Sequence, residues 1–145
     1  MIETAAATRT ITFRDALREA LAEEMAADPR VFLIGEDVGR YGGAYAVSKG
    51  LLERFGPERV IDSPMSEAEI VGVALGAAVA GARPVAEIMY MDFITLVMDQ
   101  LVNQAAKMHA MFGGRLSAPM VVRVQQGIGR GAGPQHSQSL EAWLA

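Results

Sequence analysis

The sequence contains no cysteine. That excludes disulfides, thiolate metal sites and cysteine nucleophiles. Neither sign of charge dominates, because 13 basic residues stand against 17 acidic ones for a formal net charge of −4. Nothing in that balance points to a nucleic-acid or polybasic membrane surface. Long hydrophobic runs are also missing. The longest candidate, residues 70–82, is too short and too glycine-rich to span a bilayer, which takes about 20 residues. The first nine residues carry an acid and no apolar core, so they do not form a secretory signal. No internal repeat or low-complexity linker interrupts the chain. The expectation is a soluble cytoplasmic protein with no nucleic-acid and no membrane partner.

What is present is a well-filled core. The chain has 145 residues, 51% of them hydrophobic, and a mean hydropathy of +0.21. A chain of this length buries roughly 70% of its unfolded surface, enough for one domain. Helix and strand signals alternate. Thr12 with Asp15 reads as a helix N-cap, and Leu17, Ala20, Leu21, Glu24 and Met25 follow at helical spacing until Asp28-Pro29. Residues 31–34 form a short buried strand ended by Gly35. The glycines of 39–43 make a loop. A helix is predicted over 47–55 and a short strand over 60–62. Ser66 and Glu69 make a possible capping box for a helix that runs to about Gly81. Then come a strand over 84–89, a long helix over 92–112 and a buried strand over 120–124. Residues 127–133 form a loop, and a last helix over 137–144 looks cut short, which predicts a longer protein. The pattern implies an α/β fold, with a parallel sheet covered by helices on both faces.

Four places carry possible chemistry. Glu67 opens an apolar helix in which Gly72 and Gly76 share a face that another helix can approach closely. Burial of this carboxylate would disfavour ionisation and suit it to proton transfer. Glu67 and Glu69 equally suit a helix N-terminus, where a negative charge meets the positive end of the dipole. Met89 and Phe93 fall where a strand ends and a helix begins, the usual ligand position in α/β sheets. A ring there can stack on a planar ligand or simply pack. His136 follows a glycine loop, where it could shuttle a proton near neutral pH or cap a helix, whereas His109 sits inside a predicted helix and reads as structural. Gly127, Gly129 and Ala132 satisfy a dinucleotide-type glycine pattern after a strand. Pro134 interrupts the helix that pattern needs, so a loop rimming a site suits it better.

Several blocks, in order, are similar to one family. They are Phe32-Leu33-Ile34-Gly35-Glu36-Asp37-Val38, Gly43-Ala44-Tyr45-Ala46-Val47-Ser48 and Asp62-Ser63-Pro64-Met65-Ser66-Glu67. Further on come Gly81-Ala82-Arg83-Pro84-Val85-Ala86-Glu87, Asp99-Gln100, Ala105-Ala106-Lys107 and Gln135-His136-Ser137-Gln138. The chain resembles the beta subunit of the thiamine-diphosphate-dependent decarboxylating component of 2-oxoacid dehydrogenases. The resemblance makes residues 1–10 an N-terminal extension and 11–145 a pyrimidine-binding domain, truncated at its C-terminal end. It implies that Glu67 hydrogen-bonds N1′ of the cofactor's aminopyrimidine and helps the thiazolium lose its C2 proton. Phe93 would lie on or beside that ring, with Met65 and Met89 lining it. His136 would assist acyl transfer to a lipoyl arm, and Glu36 would join an acidic relay between paired sites.

The family's glycine-aspartate-glycine motif with paired asparagines, which holds magnesium and diphosphate, does not occur here. No metal ligand is therefore expected on this chain, and the diphosphate half would lie on an alpha subunit in an alpha2-beta2 heterotetramer. The implied partners are that subunit, the dihydrolipoyl acyltransferase core and a 2-oxoacid, pyruvate being favoured over branched-chain acids or acetoin. Two other readings are a transketolase-like subunit and a non-catalytic, truncated interaction module.

Overall fold

A computed structural model describes residues 8–127 and 131–145. Thr12 has extended backbone, and its hydroxyl accepts from the Asp15 amide at 3.1 Å, so helix α1 (Phe13–Ala27) starts where the sequence placed it. It ends at Asp28, which is extended because Pro29 crowds a helical conformation in the residue before it.

Four strands follow: β1 (Val31–Gly35), β2 (Val60–Asp62), β3 (Arg83–Ile88) and β4 (Val121–Val124). All are parallel, in the order β2-β1-β3-β4. Side-chain alternation splits the core into two layers. On one face Ile34, Ala86 and Ile88 pack with Ile70, Val71 and Ala74 of helix α3 (Glu67–Val79) and with Met91, Ile94 and Val97. On the other, Val31, Leu33 and Val60 pack with Met25 of α1 and Leu51 of helix α2 (Leu51–Phe55). Burial on both faces is why the strands read as continuous apolar runs. Each fully buried aliphatic side chain, such as Leu33 or Ile94 at 0% exposure, contributes about 1.5–3 kcal/mol.

The strand order also fixes where a ligand belongs. The β1-to-β2 connection leaves in one direction and carries α2 on one face. The β2-to-β3 connection crosses β1 in the other direction with α3 on the opposite face. Right-handed crossovers require that change of face. Adjacent strands β1 and β3 therefore send their connections apart. The crevice beyond their carboxyl ends is the topological switch point where open α/β sheets bind ligands.

Four predicted elements differ from those observed. The helix over 47–55 shrinks to α2, because Gly50 adopts φ 84° just before it. Val47 and Ser48 are buried instead in a folded loop, with the Ser48 amide donating to the Gly42 carbonyl at 3.1 Å. The long helix over 92–112 becomes a 3₁₀ segment (Met91–Val97), a π-helical stretch (Asp99–Ala105) and helix α4 (Ala106–Met111). Ile94, Thr95 and Val97 are β-branched and poor α-helix formers, and the Thr95 hydroxyl donates back to the Asp92 carbonyl at 3.0 Å. Asp99 then accepts from Asn103 and from Gln104, and the second contact spans the five-residue step of a π turn. Strand β4 is at the sheet edge rather than buried, and Val121 is 57% exposed. Residues 137–140 are not helical; a short 3₁₀ turn (Glu141–Trp143) follows them. No helix among the described residues is long and apolar enough to cross a membrane.

Candidate functional site

The predicted site residues gather at the carboxyl ends of the strands in two groups. The first surrounds β1 and β2. Glu36 immediately follows β1 and is half-buried, and its Oε1 has no hydrogen-bond partner among the described residues. Burial holds its carboxyl above the ordinary glutamate range, and the charges of Glu67 and Asp37 push it further the same way. Glu67 is the first residue of α3 and is also half-buried. The capping box is not formed, since Ser66 makes no side-chain cap bond and Glu69 is exposed. Glu67 therefore stands at the helix N-terminus without a reciprocal Ser66 cap, facing a second carboxylate.

Backbone geometry sets this group. Asp37 has φ 53° and Ala46 φ 56°. Aspartate tolerates the left-handed region through local polar contacts, but alanine there stores strain of order 1–3 kcal/mol, a cost found chiefly where function demands a shape. Asp62, at the end of β2, accepts from the Gly39 amide at 2.6 Å and the Arg40 amide at 3.2 Å. It ties the loop after β1 to the strand that precedes Glu67. The sequence reading missed this anchor, whose only signal was an acid at the end of a strand.

The second group surrounds β3 and β4. Rings of Tyr90, Phe93 and His136 meet edge-on. Tyr90 and His136 centroids lie 4.8 Å apart, Phe93 and His136 5.6 Å, and Tyr90 and Phe93 6.0 Å. Such T-shaped contacts place a positive ring edge on a negative ring face. The His136 Nδ1 atom is buried without a hydrogen-bond partner among the described residues. A cleft of about 20 Å³ between Tyr45, Tyr90, Gln125 and His136 has room for about one water. A groove of about 540 Å³ lies near Asp28, Val31, Arg83 and Pro119 at the amino ends of the strands. That is the wrong end of a parallel sheet for its ligand. A groove of about 510 Å³ between Phe13, Leu17, Tyr45, Val124 and Gln126 adjoins the small cleft at the carboxyl end of β4.

Phe93 and His136 are thus brought together, and Tyr90 joins them unforeseen. Met89 is half-buried directly after β3, whereas Met65 is 83% exposed on the loop before α3. Met65 therefore lines nothing within this chain. His109 places its Nδ1 3.1 Å from the Leu116 carbonyl oxygen, away from both groups. Of the glycine pattern, residues 128–130 lie outside the described residues. The Gly127 amide donates to the Gln138 carbonyl at 3.2 Å, and Pro134 opens a 3₁₀ turn (Pro134–His136). A 3₁₀ turn, and not the helix a dinucleotide site needs, follows Gly133. The glycines of α3 face outward, and a Cβ at Gly72 or Gly76 would meet nothing within 4 Å among the described residues. No group of three or more histidine and carboxylate residues among those described is arranged to hold a metal ion.

A β2-β1-β3-β4 parallel sheet with paired acids and a ring cluster at its switch point defines a cofactor-binding α/β domain. The chain belongs to the transketolase pyrimidine-binding domain family, a thiamine-diphosphate-dependent family whose sequence profile matches residues 9–145. Among curated relatives, it is 51% identical over 140 residues to the mitochondrial pyruvate dehydrogenase E1 component subunit beta-2 of Oryza sativa subsp. japonica, covering 97% of this chain and 37% of that protein. It is 49% identical over 141 residues to subunit beta-1 of the mitochondrial E1 component of Arabidopsis thaliana, covering 97% of this chain and 39% of that protein. With the E1 beta subunit of Rickettsia bellii it shares 50% identity over 132 residues, 91% of this chain and 41% of that protein. The chain spans about two-fifths of the length of these relatives.

The residues fit an aminopyrimidine. Glu36 offers a buried oxygen without a partner among the described residues, and the charge of the half-buried Glu67 acts on its carboxyl. Phe93 supplies a half-buried ring after β3, the strand beside β1 at the crevice.

Proposed function

We propose that this chain is the cofactor-activating part of the beta subunit of a pyruvate dehydrogenase decarboxylating component, with residues 11–145 as its pyrimidine-binding domain. The observation that carries this reading is the Glu36–Glu67 carboxylate pair at the lip of the crevice. Thiamine diphosphate, when bound, supplies the electron sink for loss of carbon dioxide from a 2-oxoacid. Glu67 holds a proton at the pyrimidine N1′. Glu36, whose carboxyl binds its proton more tightly than an ordinary glutamate, backs it as the second member of an acidic relay. Phe93 and Met89 border the pyrimidine, and Met65 does so once a partner covers its loop. His136 holds a proton at the reactive end during acyl transfer to a lipoyl domain.

The diphosphate and its magnesium belong to an alpha subunit, and the outward Gly72–Gly76 face of α3 suits a subunit contact in an alpha2-beta2 heterotetramer. The acyl acceptor is the dihydrolipoyl acyltransferase core. Pyruvate is the favoured substrate because the three relatives described are all named for it. The two plant relatives are named mitochondrial, and the name of the Rickettsia bellii protein gives no compartment; a cytoplasmic enzyme is the reading adopted for this chain.

The test is to co-express the full-length protein with its alpha partner and supply thiamine diphosphate, magnesium and a lipoyl domain. The expected result is cofactor-dependent acylation of the lipoyl domain, fastest with pyruvate. Sugar-phosphate transfer without 2-oxoacid decarboxylation would replace this reading with a transketolase-like one.

A further inference from the structure

We infer that Asp92 is a positioning residue, clamping residues 137 and 138 so that the His136 imidazole is held against Tyr90 and Phe93. The inference rests on the proposed role of His136 in acyl transfer. Asp92 is only 7% exposed and follows β3 by four residues. A carboxylate in such a place needs partners, since an uncompensated buried charge is strongly unfavourable. Its partners come from 46 residues away. Gln138 Nε2 donates to Asp92 Oδ1 at 2.9 Å. Burial alone would raise the Asp92 carboxyl. The Gln138 side chain and the nearby backbone amides of Asp92, Gln138 and Ser137 outweigh burial and hold it below the ordinary aspartate range. The carboxylate is therefore charged at neutral pH, and a hydrogen bond to a charged acceptor is among the stronger kind.

The same segment is pinned from its other side. The Gly127 amide donates to the Gln138 carbonyl, and the Ser137 hydroxyl donates to the Gly133 carbonyl at 2.8 Å. The main chain around His136 is thus fixed at Asp92, while ring edges from residues two before and one after Asp92 fix the imidazole itself. One short stretch after β3 sets both the position and the tilt of a histidine that its own 3₁₀ turn, three residues long, could not hold. Asp92 lines the small cleft with Tyr90 and His136, but the clamp needs no contact between Asp92 and substrate or cofactor. Its action runs through Gln138 to His136.

Two variants test the clamp in the assembled enzyme. Gln138→Ala removes the donor from an exposed residue, so folding is not at stake; Asp92→Asn keeps the shape and removes the charge. Diethyl pyrocarbonate labelling of the cofactor-free assembly, read by mass spectrometry at His136 with exposed His109 as internal control, reports imidazole accessibility without any turnover. The expected result is faster labelling of His136 in both variants with His109 unchanged. With cofactor and pyruvate, acyl transfer to a lipoyl domain should fall about tenfold, a fraction of the 10²–10⁴ that a positioned acid or base contributes. Decarboxylation read with an artificial electron acceptor should stay at the wild-type rate in Gln138→Ala, whose side chain does not line the small cleft. Unchanged labelling at His136 would overturn the clamp, as would a parallel fall in decarboxylation and transfer in Gln138→Ala. If the wild-type assembly itself transfers no acyl group, the proposed function fails while the labelling result still decides the clamp.

Discussion

The two halves of the site are held in opposite ways. Around β1 and β2 the carboxylates stand on short loops shaped by the backbone: left-handed Asp37 and Ala46, and two amides gripped by Asp62. Around β3 and β4 the imidazole is held by side chains from far along the chain, through two ring contacts and, behind its backbone, the Asp92–Gln138 hydrogen bond. Both halves leave a buried polar atom without a partner among the described residues, Glu36 Oε1 in one and His136 Nδ1 in the other. The imidazole half uses its buried carboxylate fully to fix a neighbour. One half thus resembles a socket for a ligand, the other a mount for a moving proton.

Three substitutions can break or sharpen that contrast. The largest effect is expected from Gly35→Ala, because Gly35 ends β1 beneath both halves. A Cβ there would lie 2.9 Å from Glu87 Cβ, Glu87 O and Val38 Cγ1. Overpacking of this kind costs about 1–3 kcal/mol, and a fall in the unfolding midpoint of the full-length protein should accompany distortion of both halves. An unchanged midpoint would mean the two loops float free of the strand. Next comes Asp62→Ala, which strips the acceptor from the Gly39 and Arg40 amides. With a buried Gly39 amide left unpaired, the cost is about 1–2 kcal/mol by denaturant titration. His136 labelling by diethyl pyrocarbonate should not change. A change there would join the halves into one network.

The smallest effect is expected from Glu36→Gln, and its signature lies in pH. The folded chain holds the Glu36 proton more tightly than the unfolded chain, whose carboxyl titrates near 4.5. Wild-type stability should therefore fall relative to the variant as pH rises from 4.5 through the raised folded value, and run parallel above it. Superimposable profiles of melting temperature against pH would remove the upward shift that burial, and after it the charges of Glu67 and Asp37, give this carboxyl.

The contrast also explains what could be read from the sequence. Elements governed by near neighbours were legible. Thr12 and Asp15 announced α1, apolar runs ending at Gly35 and Asp62 announced strands, and alternation of helix and strand announced the parallel sheet. The acid half, built within loops, could be placed from Glu36 and Glu67 alone. Elements governed by distant partners were not legible. The stretch 92–112 has an apolar pattern that suits an α-helix, yet Asp92 is drawn to residue 138 and Asp99 to a π turn. The segment after His136 has helix formers but is held instead by Asp92. Tyr90 gave no signal, because its role depends on an imidazole 46 residues later in the chain. Met65 depends on a partner for a related reason. Its position matches the family block, but its side chain meets solvent within this chain.

The central claim is that Glu67 manages a proton on the cofactor's pyrimidine, and it is tested most directly with Glu67→Gln in the assembled enzyme. Saturating thiamine diphosphate is bound, binding is confirmed by titration, and exchange of the cofactor's C2 proton for deuterium is followed by quenched-flow NMR without substrate. The account predicts exchange slowed by at least about 10²-fold, the lower end of what a positioned acid contributes, with folding and assembly intact. Exchange near the wild-type rate in a cofactor-saturated variant would contradict it.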